Sequence, residues 1–286
     1  MRKRKGKTME YAAGIDVGST QTKAVLIDQS CAIAARVLLD TGANVKRAGQ
    51  RALEELIATS TVPREKIGFV VGTGYGRYKI EAGDTQITEI SCHARGAHML
   101  FPATRTVIDM GGQDTKAIKV GPDGDVVDFC MNDKCAAGTG RFLAGAADVL
   151  GLTLDEIGPI SLGGTRPIRL TSVCTVFVES DILNYLAQKK KIEDILAGVH
   201  EAISARTIGL VRRVGMDEEI TFTGGVARNV GMVRALERKL NVRLNVSSES
   251  QYIGAIGAAL YGMDNLMAAR ASQVDARTEP TVWVDE

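Results

Sequence analysis

A short pattern that occurs twice in the chain constrains its fold more than any other feature of the sequence. Residues 14–25, GIDVGSTQTKAV, align with residues 107–118, VIDMGGQDTKAI. An aspartate, a glycine and a Thr-Lys-Ala sequence recur at the same positions in both runs. One Asp-x-Gly alone would carry little information, but two copies with the same internal spacing predict a duplicated structural unit.

Each copy is predicted to form a β-hairpin that is closed by a glycine-containing turn, Gly-Ser-Thr in the first and Gly-Gly-Gln in the second. Glycine lets the backbone approach an anion closely, and successive N–H groups can donate to its oxygens. The carboxylates of Asp16 and Asp109, at the strand ends, can hold Mg²⁺ through water. Two facing hairpins are therefore predicted to hold a polyphosphate from both sides.

The sequence around the hairpins alternates between β-rich and helical segments, which predicts an α/β fold of mixed sheets flanked by helices. Leu53 and Leu56 belong to an apolar set at helical spacing, and residues 67–71 form an apolar strand. Further helices are predicted for residues 89–100, 139–150, 174–187, 193–214, 230–240 and 251–261.

Two lobes are predicted, each built around one hairpin. The first covers residues 1–104, of which 1–11 form a flexible basic start, and the second covers residues 105–270. Residues 271–286 lose the helical periodicity and are predicted to be a poorly ordered tail or a partner-binding extension.

A third glycine-rich element, TFTGGV at residues 221–226, lies between a β-rich stretch and a helix that begins near Asn229. A strand, Gly-Gly and helix in succession can place flat backbone against adenine or ribose and direct a helix N-terminus at the ligand. Alone, such a turn is equally consistent with close packing. After two phosphate-binding hairpins, Gly224 and Gly225 are predicted to bind the adenosine part of a nucleotide.

The charge balance argues against a polyanionic partner. The 286 residues include Lys+Arg 35 and Asp+Glu 34, a formal net charge of +1, so no bulk field attracts nucleic acid or an anionic membrane. No apolar leader segment follows the basic start, and no apolar run reaches about 18 residues. The sequence predicts a cytoplasmic protein that binds neither nucleic acid nor membranes.

Five cysteines, an odd number, favour free thiols or metal ligands over disulfides in a long chain without an export signal. Cys31, Cys92 and Cys130 are predicted to be packing residues. His93 and His98 do not have the spacing of a zinc site and are predicted to pack or to form hydrogen bonds.

The three glycine elements, at residues 16–20, 109–114 and 223–226, resemble the phosphate and adenosine motifs of the acetate and sugar kinase/Hsp70/actin superfamily. Within that superfamily, two further runs are similar to those of activators of 2-hydroxyacyl-CoA dehydratases and of the related ATPase subunits of benzoyl-CoA reductase, the BadF/BadG/BcrA/BcrD type. These runs are MNDKCAAGTGRF at 131–142 and TSVCTVF at 171–177. The resemblance extends over roughly residues 12–262 and implies a duplicated, two-lobed actin/sugar-kinase/Hsp70-like ATPase fold.

The resemblance also implies an electron-transferring ATPase with ATP, Mg²⁺ and a [4Fe–4S] cluster as cofactors. Such a cluster needs about four thiolates, and only Cys135 and Cys174 match the family pattern. The cluster would therefore bridge two subunits. Both cysteines are also expected to sit just before a helix, where the N-terminal partial charge favours a thiolate. The implied partners are a ferredoxin-like electron donor and a CoA-thioester dehydratase or reductase.

The residue roles implied by the motifs and by the resemblance form three groups. The catalytic residues are predicted to be Asp16, Asp109 and Gln113; the ATP and Mg²⁺ ligands Gly18, Ser19, Thr20, Lys23, Gly111, Gly112, Asp114, Gly138, Gly224 and Gly225; and the cluster ligands Cys135 and Cys174.

Two other functions are compatible with the same fold. A metabolite kinase would phosphorylate a sugar or carboxylate without a cluster, but it explains neither cysteine. A nucleotide-switched binding module of the Hsp70 kind would need a separate peptide-binding domain. The sequence leaves open whether the dimer is a homodimer or a heterodimer with a related chain, and whether the electron acceptor is a dehydratase or benzoyl-CoA reductase.

Overall fold

Two five-stranded mixed sheets with the same strand order form the framework of the protein. The computed structural model describes residues 10–81, 83–170 and 175–278. The first sheet, in the order β3-β2-β1-β4-β5, consists of β1 (Tyr11–Val17), β2 (Gln21–Ile27), β3 (Ile33–Asp40), β4 (Ile67–Thr73) and β5 (Thr85–Gln86). The second, in the order β8-β7-β6-β9-β10, consists of β6 (Thr106–Met110), β7 (Thr115–Val120), β8 (Val126–Asn132), β9 (Ile220–Thr223) and β10 (Leu244–Asn245).

In each sheet, an antiparallel meander of three strands is extended by two parallel strands. The two predicted hairpins are β1–β2 and β6–β7, which are the corresponding pairs of the two sheets. The duplication read from the sequence is therefore a duplication of the whole sheet, which confirms the predicted α/β class.

Eight helices flank the sheets in the part of the chain that the structure describes. They are α1 (Val45–Thr59), α2 (Glu89–Leu100), α3 (Gly140–Leu150), α4 (Leu154–Ser161), α5 (Thr175–Ala187), α6 (Ile192–Val214), α7 (Val230–Leu240) and α8 (Ile253–Thr278). The helices predicted between residues 89 and 240 are confirmed within one residue at each end, except that α4 was not predicted and that Cys174 lies outside the described residues.

Helix α1 shows how the local sequence sets these elements. The Asn44 side chain accepts a hydrogen bond from the Arg47 N–H and so caps the first turn. Leu53 and Leu56 lie on the buried face of the helix and pack onto the first sheet. Helices α3 to α7 cover the second sheet in the same manner and form the largest apolar cluster.

Helices α2 and α8 cross between the two sheets. Helix α2 follows the first sheet in the chain but packs on the second, where Ala94 and Ala97 contact Val107 and Ile118. Helix α8 follows the second sheet and packs on the first. The predicted division at residue 104 assigned α2 to the first sheet and α8 to the second. In the structure, α2 packs on the second sheet and α8 packs on the first.

The two cross helices approach each other at backbone distance because glycines lie at their crossing. A Cβ atom at Gly257 would overlap the Cys92 carbonyl, and one at Gly96 would overlap the Ile253 carbonyl. Any larger side chain at either glycine would separate the helices. At this crossing, the two helices through which the chain passes between the sheets pack directly on each other.

The end of α8 corrects the predicted tail. The helix continues to Thr278, beyond the predicted helix end at residue 261 and the predicted start of the tail at residue 271. Among the residues of α8 whose side chains the structure describes, Leu266 is the last buried apolar one, and Arg270 pairs with Glu10, just before β1. Among the described residues, no helix combines the length and the apolar character needed to cross a membrane.

Candidate functional site

A cleft of about 570 Å³ lies where the two hairpins face each other. The two hairpin turns touch, because a Cβ atom at Gly112 in the second turn would overlap the hydroxyl of Thr20 in the first. Each turn is closed by a backbone hydrogen bond at its base, from Gly18 to Gln21 at 3.1 Å and from Gly111 to Asp114 at 3.0 Å. The sequence repeat thus folds into two matching turns at one opening.

Each hairpin places an aspartate directly opposite a lysine. Asp16 on β1 pairs in register with Lys23 on β2, and Asp109 on β6 pairs with Lys116 on β7. The Lys23 ammonium lies 3.8 Å from the Asp16 carboxylate, and the Lys116 ammonium lies 3.2 Å from the Asp109 carboxylate. Both pairs follow from the repeated Asp-x₆-Lys spacing.

The duplication extends to a third strand in each half. Thr73 on β4 lies beside Asp16, and Thr223 on β9 lies beside Asp109, in the same parallel register. Each threonine is followed by a glycine with positive φ, Gly74 and Gly224, both at 87°. In both halves, a Cβ atom on that glycine would collide with the neighbouring aspartate carboxylate. Position 224 therefore requires glycine, because any side chain there would collide with Asp109.

Gly224 and Gly225 are expected to respond differently to alanine. At Gly224, a Cβ atom would meet the Met110 carbonyl and lie 2.7 Å from an Asp109 carboxylate oxygen, and φ is positive. At Gly225, the nearest atom would be the Gln21 side-chain oxygen at 3.9 Å. Gly224→Ala should lower the free energy of unfolding by about 1–3 kcal/mol and weaken nucleotide binding, whereas Gly225→Ala should leave stability almost unchanged. Thermal unfolding and nucleotide titration of both variants measure this, and equal stability of the two would contradict the packing role.

Lys116 is the centre of a buried network of charges. Its side chain is 2% exposed, and its ammonium lies 2.8 Å from Asp114, 3.2 Å from Asp109 and 3.6 Å from Glu89. Burial alone would lower the pKa of Lys116, but the three carboxylates raise it above its usual value. Lys116 therefore stays protonated and balances the negative charge at the base of the second hairpin.

Asp109 is held as a carboxylate by its neighbours. Its oxygens accept hydrogen bonds from Lys116 and from the Thr223 hydroxyl, at 3.2 and 3.1 Å, and the His93 Nδ1 atom lies 3.4 Å away. Burial favours its neutral form, but the interactions with His93 and Lys116 outweigh burial and lower the pKa of Asp109 to about 2. Asp109 is therefore ionised throughout the physiological range.

The second turn is bonded to the loop that carries Cys135. The backbone N–H groups of Gly140 and Arg141, the first residues of α3, donate to the carbonyls of Gly111 and Gly112 at 2.9 Å. The hydroxyl of Thr115 on β7 donates to the Gly138 carbonyl in the same loop, at 2.7 Å. A displacement of the second turn is therefore transmitted directly to the start of α3.

The position of Cys135 differs from the expectation that it sits at a helix N-terminus. Cys135 is exposed and precedes the first residue of α3 by five positions, and the first amides of α3 donate to the second turn. Its carbonyl accepts a hydrogen bond from the Asn132 side chain at 2.8 Å. The loop is thus fixed through its backbone and leaves the thiol at the surface.

Most of the predicted nucleotide residues are brought together. Those that line the cleft are Asp16, Gly18, Ser19, Thr20, Lys23, Asp109, Gly111, Gly112, Gln113, Asp114, Gly224 and Gly225. Gly138 does not line it: φ is 98°, and the residue lies beneath β7 against Arg206. Cys174 lies outside the described residues. Cys31, Cys92 and Cys130 pack against apolar clusters, as predicted.

Three residues of the site were missing from the sequence-based assignment. Lys116 was part of the repeat and could have been assigned by analogy with Lys23. Glu89 and His93 lie one turn apart on α2, where Glu89 lies 3.6 Å from Lys116 on β7 and His93 lies 2.9 Å from the Thr223 hydroxyl on β9. No motif marks them, since only the crossing of α2 onto the second sheet brings them to the site.

The sequence matches a family model described as the BadF/BadG/BcrA/BcrD ATPase family over residues 13–262. The 2-hydroxyisocaproyl-CoA dehydratase activator of Clostridioides difficile is 42% identical over 267 residues, 93% of this chain and 99% of that protein. The (R)-2-hydroxyglutaryl-CoA dehydratase activating ATPase of Acidaminococcus fermentans is 41% identical over 252 residues, 88% of this chain and 96% of that protein. A benzoyl-CoA reductase subunit of Thauera aromatica is 31% identical over 264 residues, 89% of this chain and 93% of that protein.

Solved structures agree with the sequence comparison. The activator of 2-hydroxyisocaproyl-CoA dehydratase from Clostridium difficile, with bound ADPNP, superposes with a TM-score of 0.87 at 42% identity, covering 92% of this chain and 97% of that chain. A ROK family glucokinase from Streptomyces griseus has a TM-score of 0.58 at 12% identity, over 89% of this chain and 99% of that chain, which shows a shared fold alone. The predicted duplicated actin/sugar-kinase-like ATPase fold is confirmed.

Proposed function

Because the chain belongs to the BadF/BadG/BcrA/BcrD ATPase family, we propose that it is the ATP-dependent activator of a 2-hydroxyacyl-CoA dehydratase, to which it delivers an electron from a ferredoxin-like donor. The observation that supports this proposal is the hydrogen bonding of the second hairpin to Gly138, Gly140 and Arg141, which closely follow Cys135 in the chain. A cleft for a nucleotide and a surface thiol are thereby parts of one connected structure.

The relatives favour a dehydratase over benzoyl-CoA reductase as the partner. Two dehydratase activators are 42% and 41% identical to this chain, against 31% for the benzoyl-CoA reductase chain.

The nucleotide is proposed to lie across the cleft with its adenosine at Gly224 and Gly225. The polyphosphate then lies between the two touching turns, where backbone N–H groups and Lys23 can donate to it. Lys23 suits this role better than Lys116, because Lys23 contacts one carboxylate at 3.8 Å while Lys116 is occupied by three. The repeated lysines are thus proposed to have different functions.

Asp16 and Asp109 are proposed to hold the Mg²⁺ that accompanies the polyphosphate. Both carboxylates line the cleft from opposite hairpins, and Mg²⁺ bound through one or two carboxylates keeps several water ligands. Gln113, in the second turn, is proposed to orient the water that attacks the terminal phosphate. Hydrolysis then depends on positioning and electrostatics, with no covalent intermediate on the protein.

The cysteines are proposed to hold a [4Fe–4S] cluster that two subunits share. Among the described residues, no group of three or more His, Cys, Asp and Glu side chains could hold a metal ion. The exposed thiol of Cys135 fits a ligand that is shared across a subunit interface, since a buried thiol could not reach a second chain. Cys174 would supply the second thiolate of each chain. A cluster of this type supplies one-electron transfer at low potential.

ATP hydrolysis gives such an electron transfer its driving force. Lowering a one-electron potential by about 400 mV costs on the order of 9 kcal/mol, because 59 mV corresponds to 1.4 kcal/mol. The turn-to-loop hydrogen bonds offer the protein a path for this coupling: movement of Gly111 and Gly112 towards a bound phosphate would displace the start of α3 and Cys135.

Anaerobic purification followed by three measurements tests the proposal. We expect about two iron atoms per chain, ATP hydrolysis, and ATP-dependent activation of a purified 2-hydroxyacyl-CoA dehydratase in the presence of reduced ferredoxin. Sedimentation with one gene expressed alone distinguishes a homodimer from a heterodimer. A colourless protein that phosphorylates a sugar or carboxylate would instead identify a metabolite kinase.

A further inference from the structure

Glu89, at the first position of α2, is a charged residue of the cleft to which neither the repeat nor the family motifs assign a role. Thr88 caps the helix by accepting a hydrogen bond from the Ser91 N–H, and this fixes the backbone of Glu89 at the cleft wall. The Glu89 side chain is 18% exposed and lies 3.6 Å from the Lys116 ammonium. It is therefore a mostly buried carboxylate at the cleft wall, on a helix end that the Thr88 cap fixes.

The neighbouring carboxylates of the second hairpin are occupied. Asp109 accepts from Lys116 and Thr223, and Asp114 accepts from Lys116 at 2.8 Å. Within the described part of the chain, Glu89 accepts no hydrogen bond, because its distance to Lys116 exceeds hydrogen-bond range. Glu89 thus keeps its acceptor capacity for a molecule in the cleft.

The surroundings also make Glu89 a stronger proton acceptor than an ordinary glutamate. Burial raises the pKa of Glu89, Lys116 lowers it, and nearby carboxylates raise it further. A general base works best when its pKa is close to the working pH. The groups that face Glu89 from the two hairpins are Asp16, Asp109, Asp114 and Lys116.

We infer that Glu89 is the general base of ATP hydrolysis, accepting a proton from the water that Gln113 orients. The water oxygen forms a bond to the terminal phosphorus, and the bond from that phosphorus to the bridging oxygen breaks. ADP leaves with the electron pair of the broken bond, and the proton from water passes to the Glu89 carboxylate and then to solvent. This assignment rests on the proposed function, since it needs ATP and water to meet in the cleft.

The test compares Glu89→Gln with the parent and with Glu55→Gln, a control on the exposed face of α1. General-base catalysis contributes about 10²- to 10⁴-fold, so kcat of Glu89→Gln should fall by that factor while its Kd for MgADP changes less than about threefold. Glu55→Gln should behave like the parent. Glu89→Asp keeps the charge but shortens the side chain, so its kcat should lie between those of Glu89→Gln and the parent.

A role as a mere counter-ion of Lys116 predicts a different pattern. A base must be deprotonated, so kcat of the parent should decline as pH falls through the raised pKa of Glu89, and Glu89→Gln should lose that acid limb. An unchanged kcat in Glu89→Gln, a retained acid limb, or a loss of MgADP affinity equal to the loss of kcat would overturn the assignment. If Glu89→Gln does not fold, the kcat and pH profile of Glu89→Asp decide. A parent that hydrolyses ATP but activates no dehydratase would contradict the proposed function and leave this test intact.

Discussion

Asp16→Asn is expected to reduce ATP turnover by roughly 100- to 1000-fold, the loss typical of removing one electrostatic contact to a transition state. The substitution keeps the volume of the side chain and removes the charge that is proposed to act on Mg²⁺. Asp109→Asn should have a comparable effect, since the second carboxylate occupies the equivalent position in the other hairpin. Steady-state hydrolysis over a range of Mg²⁺ concentrations measures both losses.

Asp40→Asn is the matched control for this prediction. Asp40 ends β3 in the first sheet, is exposed, and does not line the cleft, so its variant should hydrolyse ATP at the parental rate. Thermal unfolding of all three variants shows whether they stay folded. Parental turnover in a folded Asp16→Asn protein would show that the first hairpin does not act on the phosphates.

Cys135→Ser and Cys174→Ser are each expected to lose most of the iron and to weaken subunit association. The reason is the ligand count, since two thiolates from each of two chains make up the four that a cluster needs. Cys135→Ser is a clean substitution, because the thiol is exposed and the loop is held through the Cys135 carbonyl. Iron analysis, absorbance near about 400 nm and sedimentation should change together.

Cys31→Ser and Cys130→Ser are the controls for the cluster. Cys31 packs beside α8, and Cys130 lies on β8 of the second sheet with the Arg213 side chain 3.9 Å from its sulfur, so both variants should keep the iron of the parent. MgADP binding should survive in all four variants, because Cys31, Cys130 and Cys135 do not line the cleft and the cluster is proposed to lie apart from the phosphate hairpins. A fully coloured Cys174→Ser protein would exclude the shared cluster.

The parts of the fold that depend on local pattern could be predicted from the sequence. The spacing of Asp16 and Lys23, repeated in Asp109 and Lys116, indicated the hairpins, their turns and the facing charges. Helix α7 followed from its apolar periodicity and from the Asn229 cap, whose side chain accepts from the Met232 N–H.

The parts that depend on contacts distant in the chain could not be predicted. Thr73–Gly74 and Thr223–Gly224 occupy equivalent positions in the two halves. Their separation in the sequence differs from the separation of the two hairpins, and a match of two residues at a different separation cannot be recognised as part of the repeat. Glu89 reaches Lys116 only because α2 packs on the opposite sheet. The far end of α8 was missed because residues 267–272 bury no apolar side chain, while good helix-forming residues continue the helix.

Helices α2 and α8 connect the two sheets at two places. The chain leaves the first sheet through α2 and returns to it through α8, and the helices meet backbone to backbone at Gly96 and Gly257. Two sheets that are connected at two places can rotate relative to each other about the line through those places. A rotation about that line would separate the hairpin turns and tilt the Cys135 loop at the same time. A ligand that binds both turns would therefore fix this rotation, and with it the orientation in which the surface that carries Cys135 meets a second subunit.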